Sequence, residues 1–482
     1  MDQLQELEPK LLWKHFSNIC STPRPSGFEE PVIAYIEEFA GGLGYSVQKD
    51  ESGNVLIRKS ASEGKQNSPA VVLQSHLDMV PQKNSNKKHD FRKDPIEPYV
   101  DGEWVKAKGT TLGADNGIGI AAMLAILENN KLKHGPLELL FTIDEETGMS
   151  GAKGLSPQLL TARKYINLDS EEEGKIYIGC AGGINATGMM SYQQEKSETE
   201  KNAYELAIKG LRGGHSGIDI NLGRANAIKL MNRLLFAATE KFDINIGGFR
   251  GGSARNAIPR EALATVTVPR QLDTQFNDFI TEYKQILEME FAVSDPDISV
   301  EQTQTSNPDM VMSNPAQCNL IRAVYACPNG VIRMDDKVKG LVETSNNLSF
   351  IECHDGKSVI KCLLRSSIDS ARIDLENNVL SALSLAGFNV EFSGAYPGWK
   401  PDPSSELLAV LKNVYENLYR KSPQVQAIHA GLECGIIGAH YPDMDMVSCG
   451  PTIQYPHSPD ERVNILSVKQ FWNFLVSVLE QL

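Results

Sequence analysis

Three short apolar runs in the first part of the chain end in the same way. Val71-Val72-Leu73 leads into His76-Leu77-Asp78, residues 137–143 lead into Asp144-Glu145-Glu146, and residues 165–168 lead into Asp169-Ser170. Unbroken apolar runs rich in β-branched and aromatic residues predict strands buried on both faces. If the first strand continues to its polar end, His76 and Asp78 stand two residues apart and share one face. A glycine-rich stretch, Gly109 to Gly119, carries Asp115 at its centre and opens a predicted helix over 120–128. Helical spacing of apolar residues also predicts helices over 11–16, 29–39, 226–236, 370–386, 406–419 and 467–479. Strands are predicted over 45–48, 54–58, 204–209, 264–268 and 358–365, the first two joined by the turn Asp50-Glu51-Ser52-Gly53.

Strands alternating with helices predict an α/β fold with a mixed sheet, in which ligands gather at the carboxyl ends of the strands. The acidic strand ends would then converge on one crevice. Near residue 187 the texture turns polar, and at Tyr396-Pro397-Gly398 a Pro/Gly boundary precedes a return to helix. The expected organisation is a catalytic domain in two pieces, 1–186 and 398–482, with an inserted α+β lid domain over 187–397. A weaker second strand/helix alternation over 342–391 suggests an internal duplication of the insert.

The chain has 482 residues, enough for two or three domains, and a formal net charge of −14. That balance, without a Lys/Arg cluster, argues against nucleic acid as a partner. No apolar run approaches the length of a membrane span, and no signal peptide is expected from the polar start Met1-Asp2-Gln3-Leu4-Gln5-Glu6. The eight cysteines form no CxxC pair, which points to reduced thiols and a cytoplasmic protein.

The chemistry rests on His76, Asp115, Glu146, Asp169 and His457, imidazoles and carboxylates of the kind that hold zinc or harder divalent cations. The glycine-rich loop has no Lys or Arg, which favours a cation there over phosphate. The Glu145-Glu146 pair allows one carboxylate to bind metal while the other acts as general base toward an activated water.

Taken in order, His76-Leu77-Asp78, Gly113-Ala114-Asp115-Asn116-Gly117, Asp144-Glu145-Glu146-Thr147-Gly148, Asn167-Leu168-Asp169 and His457-Ser458-Pro459-Asp460-Glu461 resemble the motif set of the dizinc exopeptidases, which include aminoacylase, carnosinase and bacterial dipeptidases. The long insert, Leu211 to Gly217 and Gly431-Leu432-Glu433-Cys434-Gly435 look most like the aminoacyl-histidine (Xaa-His) dipeptidase branch. The resemblance implies two Zn2+ per chain, with Co2+ or Mn2+ as replacements. His76 and Asp169 would hold one ion, Glu146 and His457 the other, and Asp115 would bridge them through a cis Asp115-Asn116 peptide. Glu145 would be general base, Asp78 would orient His76, and His215 would stabilise the oxyanion. Asn256, Arg365 and Glu433 would bind substrate, Arg365 pairing with the carboxylate of a small peptide while the lid closes. The branch favours a homodimer. Two enzyme alternatives, an N-acyl-amino-acid deacylase and a broad di/tripeptidase, share the same core. A binding protein on an inactive hydrolase fold is the non-enzyme alternative.

Overall fold

The computed structural model describes residues 3–482, which form two compact units. The first runs through Gly179 and then takes up Trp399–Ala427 and Leu432–Leu482. Its eight-stranded sheet has the order Val47–Lys49, Val55–Lys59, Leu137–Thr142, Val71–His76, Lys164–Asn167, Asp445–Ser448, Lys175–Cys180 and Gln424–Ile428. The four middle strands run parallel, and antiparallel neighbours flank them. Val71–His76 and Leu137–Thr142 are buried along their whole length, which explains their mainly apolar pattern, and their polar residues Gln74, Ser75, His76, Glu138 and Thr142 are buried with them. The helix Ala114–Glu128 is also almost wholly buried and packs on Lys10–Cys20, so it shows no amphipathic stripe. The C-terminal helix Ile465–Gln481 adds Phe471, Phe474 and Leu475 to the same core.

The second unit comprises Cys180–Gly398 and Ile428–Gly431. Eight strands of its nine-stranded sheet follow the order Ser299–Thr305, Lys201–Lys209, Ala262–Pro269, Asn245–Gly252, Val342–His354, Lys357–Ser366, Gly182–Ser191 and Asn389–Tyr396. This order contains a repeat. Lys201–Lys209, helix Ala227–Phe242, Asn245–Gly252, Ala262–Pro269, helix Asp273–Glu290 and Ser299–Thr305 form one βαββαβ set. Gly182–Ser191, helix Asn314–Ala326, Val342–His354, Lys357–Ser366, helix Asp369–Ser384 and Asn389–Tyr396 form another. In both sets the strands lie fourth, first, third, second, and the two second strands pair antiparallel, with Arg250 opposite Glu352. The second set therefore encloses the first instead of occupying only 342–391, because its first strand is separated from its helix by the whole inserted copy.

Three local differences from the sequence pattern bear on function. The first strand stops at His76, so Asp78 approaches it from the following turn and not along a shared strand face. The helical segment containing the stretch expected over 120–128 starts at Ala114 but is broken at Asp115 and Asn116, whose backbone angles are not helical, and the peptide between these two is cis, as the resemblance implies. His215 lies on a two-residue strand, Gly214–His215, paired with Ala257–Ile258, an element the sequence pattern did not predict. All eight cysteines are free, and among the described residues no helix is long and apolar enough to cross a membrane.

Candidate active site

In the first unit the sheet delivers its acidic ends to one place. His76 closes its strand, Asp169 follows Lys164–Asn167, Glu145 and Glu146 follow Leu137–Thr142, and Asp115 lies at the kink that interrupts the start of the helix Ala114–Glu128. His457 comes from the segment after Ile453–Gln454 and has a left-handed backbone, φ 59°. Non-glycine residues in that region cost about 1 kcal/mol or more and collect at functional sites.

Asp115 lies between the two imidazoles. Its Oδ1 is 3.0 Å from Nε2 of His76, and its Oδ2 is 3.3 Å from Nε2 of His457. Asp169 Oδ1 stands 3.2 Å from the same nitrogen of His76, and Glu146 Oε2 3.0 Å from that of His457. Each imidazole thus faces one oxygen of Asp115 and one oxygen of a second carboxylate. Donor separations of 3.0–3.3 Å are close to the edge, roughly 3.3 Å, of a tetrahedron of zinc ligands with bonds of about 2.0–2.1 Å. His76, Asp115 and Glu146 by themselves form a group whose donor atoms all lie within 4.8 Å of one another.

The electrostatics ask for positive charge at this point. Burial would favour neutral groups, yet Asp169 and Asp115 hold the His76 imidazole well above its usual pKa. Asp115 and Glu146 raise His457 to about 11. Burial pushes Glu145 well above the ordinary carboxylate range, with Asp169 and Glu146 adding repulsion, and it pushes Asp169 up to about 6. Protons on the imidazoles occupy the place that divalent cations suit better, so the donor set fits two such ions.

The surrounding contacts fix the donors. His76 Nδ1 lies 3.2 Å from the Asp78 carbonyl and 3.3 Å from its Oδ1, which holds a proton on Nδ1 and would leave Nε2, between Asp115 and Asp169, as the nitrogen that ligates a metal ion taking the place of its proton. Asp78 is buried and, despite that burial, is lowered to about 2 by His76, by Ser26 and by the backbone of Glu145. Asn116 Nδ2 donates to Asp169 Oδ1, and Ser75 Oγ donates to Asn116 Oδ1 at 2.8 Å. Gln74 Nε2 and Thr142 Oγ1 each donate to Glu433 Oε2 at 2.7 Å. Glu433 is fully buried and pushed up to about 8 by that burial, and its Oε1 has no hydrogen-bond partner among the described residues.

The second unit holds the remaining predicted residues. His215 Nδ1 accepts the backbone N–H groups of Gly217 and Ile218, both at 3.1 Å. The neutral ring therefore carries its proton on Nε2, and burial followed by Arg365 keeps it neutral by lowering its pKa. Arg365 is buried and has no carboxylate partner among the described residues. Its Nη1 donates to Tyr396 Oη at 3.0 Å, its Nη2 only weakly to Ser216 Oγ at 3.5 Å, and its Nε to no group. Asn256 is exposed, and its backbone carbonyl accepts the Ser216 N–H at 2.8 Å. His429 lies beside this cluster, buried, with Nε2 2.7 Å from Ser345 Oγ.

Residues 72–481 match the peptidase family M20/M25/M40. The chain belongs to this family. Its M20 relatives include the cytosol non-specific dipeptidase of Escherichia coli (strain K12), 47% identical over 482 residues, which cover 100% of this chain and 99% of that one. Among solved structures, the aminoacylhistidine dipeptidase of Vibrio alginolyticus superposes with a TM-score of 0.95 at 48% identity, covering 100% of this chain and 98% of the other. The aminopeptidase PepT of Bacillus cereus shares the M20 fold at a TM-score of 0.58 and 16% identity.

Sequence reasoning gave no side-chain role to several residues that contact the predicted ones: Arg24, Ser26, Gln74, Asn116 and Glu461 in the first unit, and Tyr396 and His429 in the second. Arg24 sits in Pro23-Arg24-Pro25-Ser26-Gly27, where an arginine reads as a solvated loop charge. Its near-complete burial could be found only in three dimensions.

Proposed function

We infer that this M20 peptidase is a metal-dependent dipeptidase that hydrolyses short peptides, Xaa-His dipeptides among them. The observation that carries the reading is the double placement of Asp115, one carboxylate oxygen toward each imidazole. His76 and Asp169 would hold one divalent ion, His457 and Glu146 the other, and Asp115 both. Bound there, zinc ions would supply a water acidic enough to ionise near neutral pH and a positive field for developing charge. Co2+ or Mn2+ satisfies the same imidazole and carboxylate donors.

Glu145, left out of the ligand set, accepts the proton of the attacking water and returns it to the leaving amine. Asp78 keeps His76 in the ligating tautomer and, through the backbone, fixes where Glu145 begins. His215, neutral with Nε2–H free to donate, is suited to hydrogen-bond an oxyanion. Arg365 is a buried cation without an acidic partner, which suits capture of a peptide's C-terminal carboxylate through a fork of N–H donors. One such receptor limits the substrate to a short peptide. The first unit would then be the catalytic domain, and the second would carry the carboxylate receptor.

The names of the two full-length relatives differ in breadth, non-specific against aminoacylhistidine, so specificity is the point to test. The assay compares Ala-His and Gly-His with Ala-Leu, a tripeptide and an N-acetylated amino acid. Cleavage of the dipeptides with little turnover of the others supports the reading. Preferred cleavage of the acetylated amino acid would make the chain a deacylase.

A further inference from the structure

The loop that carries Asp115 is gripped by two buried charges that do not touch each other. Glu461, 2% exposed, accepts four consecutive backbone N–H groups: Leu112 at 2.7 Å and Gly113 at 2.9 Å on Oε2, Ala114 at 2.8 Å and Asp115 at 3.3 Å on Oε1. Arg24, also 2% exposed, donates from Nη2 to the Gly113 carbonyl and from Nη1 to the carbonyls of Leu77 at 2.9 Å and Asp78 at 2.7 Å. The loop's N–H side thus meets a carboxylate and its carbonyl side a guanidinium. The peptide dipoles between them let both charges stay buried.

The covalent connections give this arrangement a purpose. Glu461 lies four residues after His457, so its grip joins one imidazole arm to the Asp115 loop. Arg24 joins the same loop to the turn that follows His76. Gly113 has φ 68°, and a Cβ there would stand 2.6 Å from Arg24 Nη2 and 2.9 Å from Met79 Sδ, so both the backbone and the space require glycine. Ser26, two residues after Arg24, donates to Asp78 Oδ2 at 2.7 Å, which extends the same brace.

We propose that Arg24 and Glu461 are positioning residues that act through the Leu112–Asp115 backbone to set Asp115 between the two half-sites, so that neither half-site binds its ion tightly without them. This rests on the reading of Asp115 as the shared ligand. Neither side chain touches substrate or the reacting atoms.

The test uses the full chain freed of metal by chelation and then titrated with Co2+, with its visible absorption and bound metal recorded, and with amide hydrogen exchange of residues 112–115 followed in parallel. The wild type should bind two Co2+ per chain. Glu461→Gln, which puts an amide donor against N–H groups, should weaken both ions about 10–100-fold, alter the Co2+ spectrum and speed exchange at Leu112–Asp115. Arg24→Lys, which cannot bridge three carbonyls as a planar fork, should act in the same direction. Glu138→Gln serves as a control, because Glu138 is a buried carboxylate of the same unit that accepts the backbone N–H groups of Thr161 and Ala162, remote from Asp115 in the hydrogen-bond network. It should lower stability and leave the Co2+ spectrum intact. If Glu461→Gln does not fold, Arg24→Lys decides alone. Wild-type Co2+ affinity and spectrum in a folded Glu461→Gln or Arg24→Lys chain overturn the proposal. A wild type that binds no Co2+ overturns the underlying reading of Asp115 and the proposal with it.

Discussion

Asp78 Oδ1 accepts the backbone N–H of Glu145 at 3.0 Å, while its Oδ2 accepts that of Glu146 at 3.1 Å. The carboxylate that steadies the His76 ring therefore also fixes the strand end from which the proposed base and a proposed ligand project. Asp78→Ala should leave part of the metal bound but lower kcat by about 10–100-fold, whereas His76→Ala should lose metal directly. Metal analysis beside steady-state kinetics separates the two. Equal and complete metal loss in both variants would contradict this division of roles.

Glu145→Gln keeps the shape of the side chain and removes its capacity to accept a proton. Dipeptide turnover should fall by about 10²–10⁴-fold with metal content unchanged. A Glu145→Gln chain that turns over at the wild-type rate would remove the base from the mechanism.

Arg365 is a buried cation with unused donor capacity. Arg365→Met should raise KM for dipeptides by about 10–100-fold, as expected when a charged hydrogen bond worth about 1.5–3 kcal/mol is lost, with a smaller change in kcat. A carboxyl-amidated dipeptide should be a poor substrate of the wild type and should not distinguish the wild type from the variant.

His76, Glu146 and Asp169 were legible in the sequence because each ends or follows a buried, mainly apolar strand, whereas Asp115 showed as the one acid at the centre of a glycine-rich loop and His457 lies in a late loop that no apolar run announces. Asp78 was legible as a partner of His76 but not as the anchor of Glu145 and Glu146, since those contacts go to backbone N–H groups that no side-chain pattern encodes. Glu461 and Arg24 were obscure for the same reason. The architecture of the second unit was hidden by its connectivity: Gly182–Ser191 belongs to a repeat whose other strands begin at Val342, and no local period joins them. His429 enters that unit from residues 428–431, far along the chain from its neighbours.

His429 gives a pH dependence with a definite sign. Burial, and then the charge of Arg365, lowers it to about 3 from the ordinary 6.5, with His215 adding to the shift. Between those values the unfolded chain binds the proton that the folded chain refuses, so stability falls as pH drops below 6.5. From pH 7 to pH 5 this group should cost about 1–2 kcal/mol. His429→Gln retains a partner for Ser345 Oγ and should show a shallower acid loss in urea unfolding at the two pH values. Equal losses in both chains would show that His429 is not buried neutral.

The central claim is that Asp115 is shared by two metal ions that this chain uses to hydrolyse dipeptides. The direct measurement is zinc bound per chain, taken with Ala-His hydrolysis, as chelator-treated wild type and Asp115→Ala are titrated with Zn2+. The wild type should regain activity as it fills to two ions per chain, and Asp115→Ala should hold neither ion tightly and stay inactive. Full activity at one ion per chain, or two tightly bound ions in Asp115→Ala, would contradict the account.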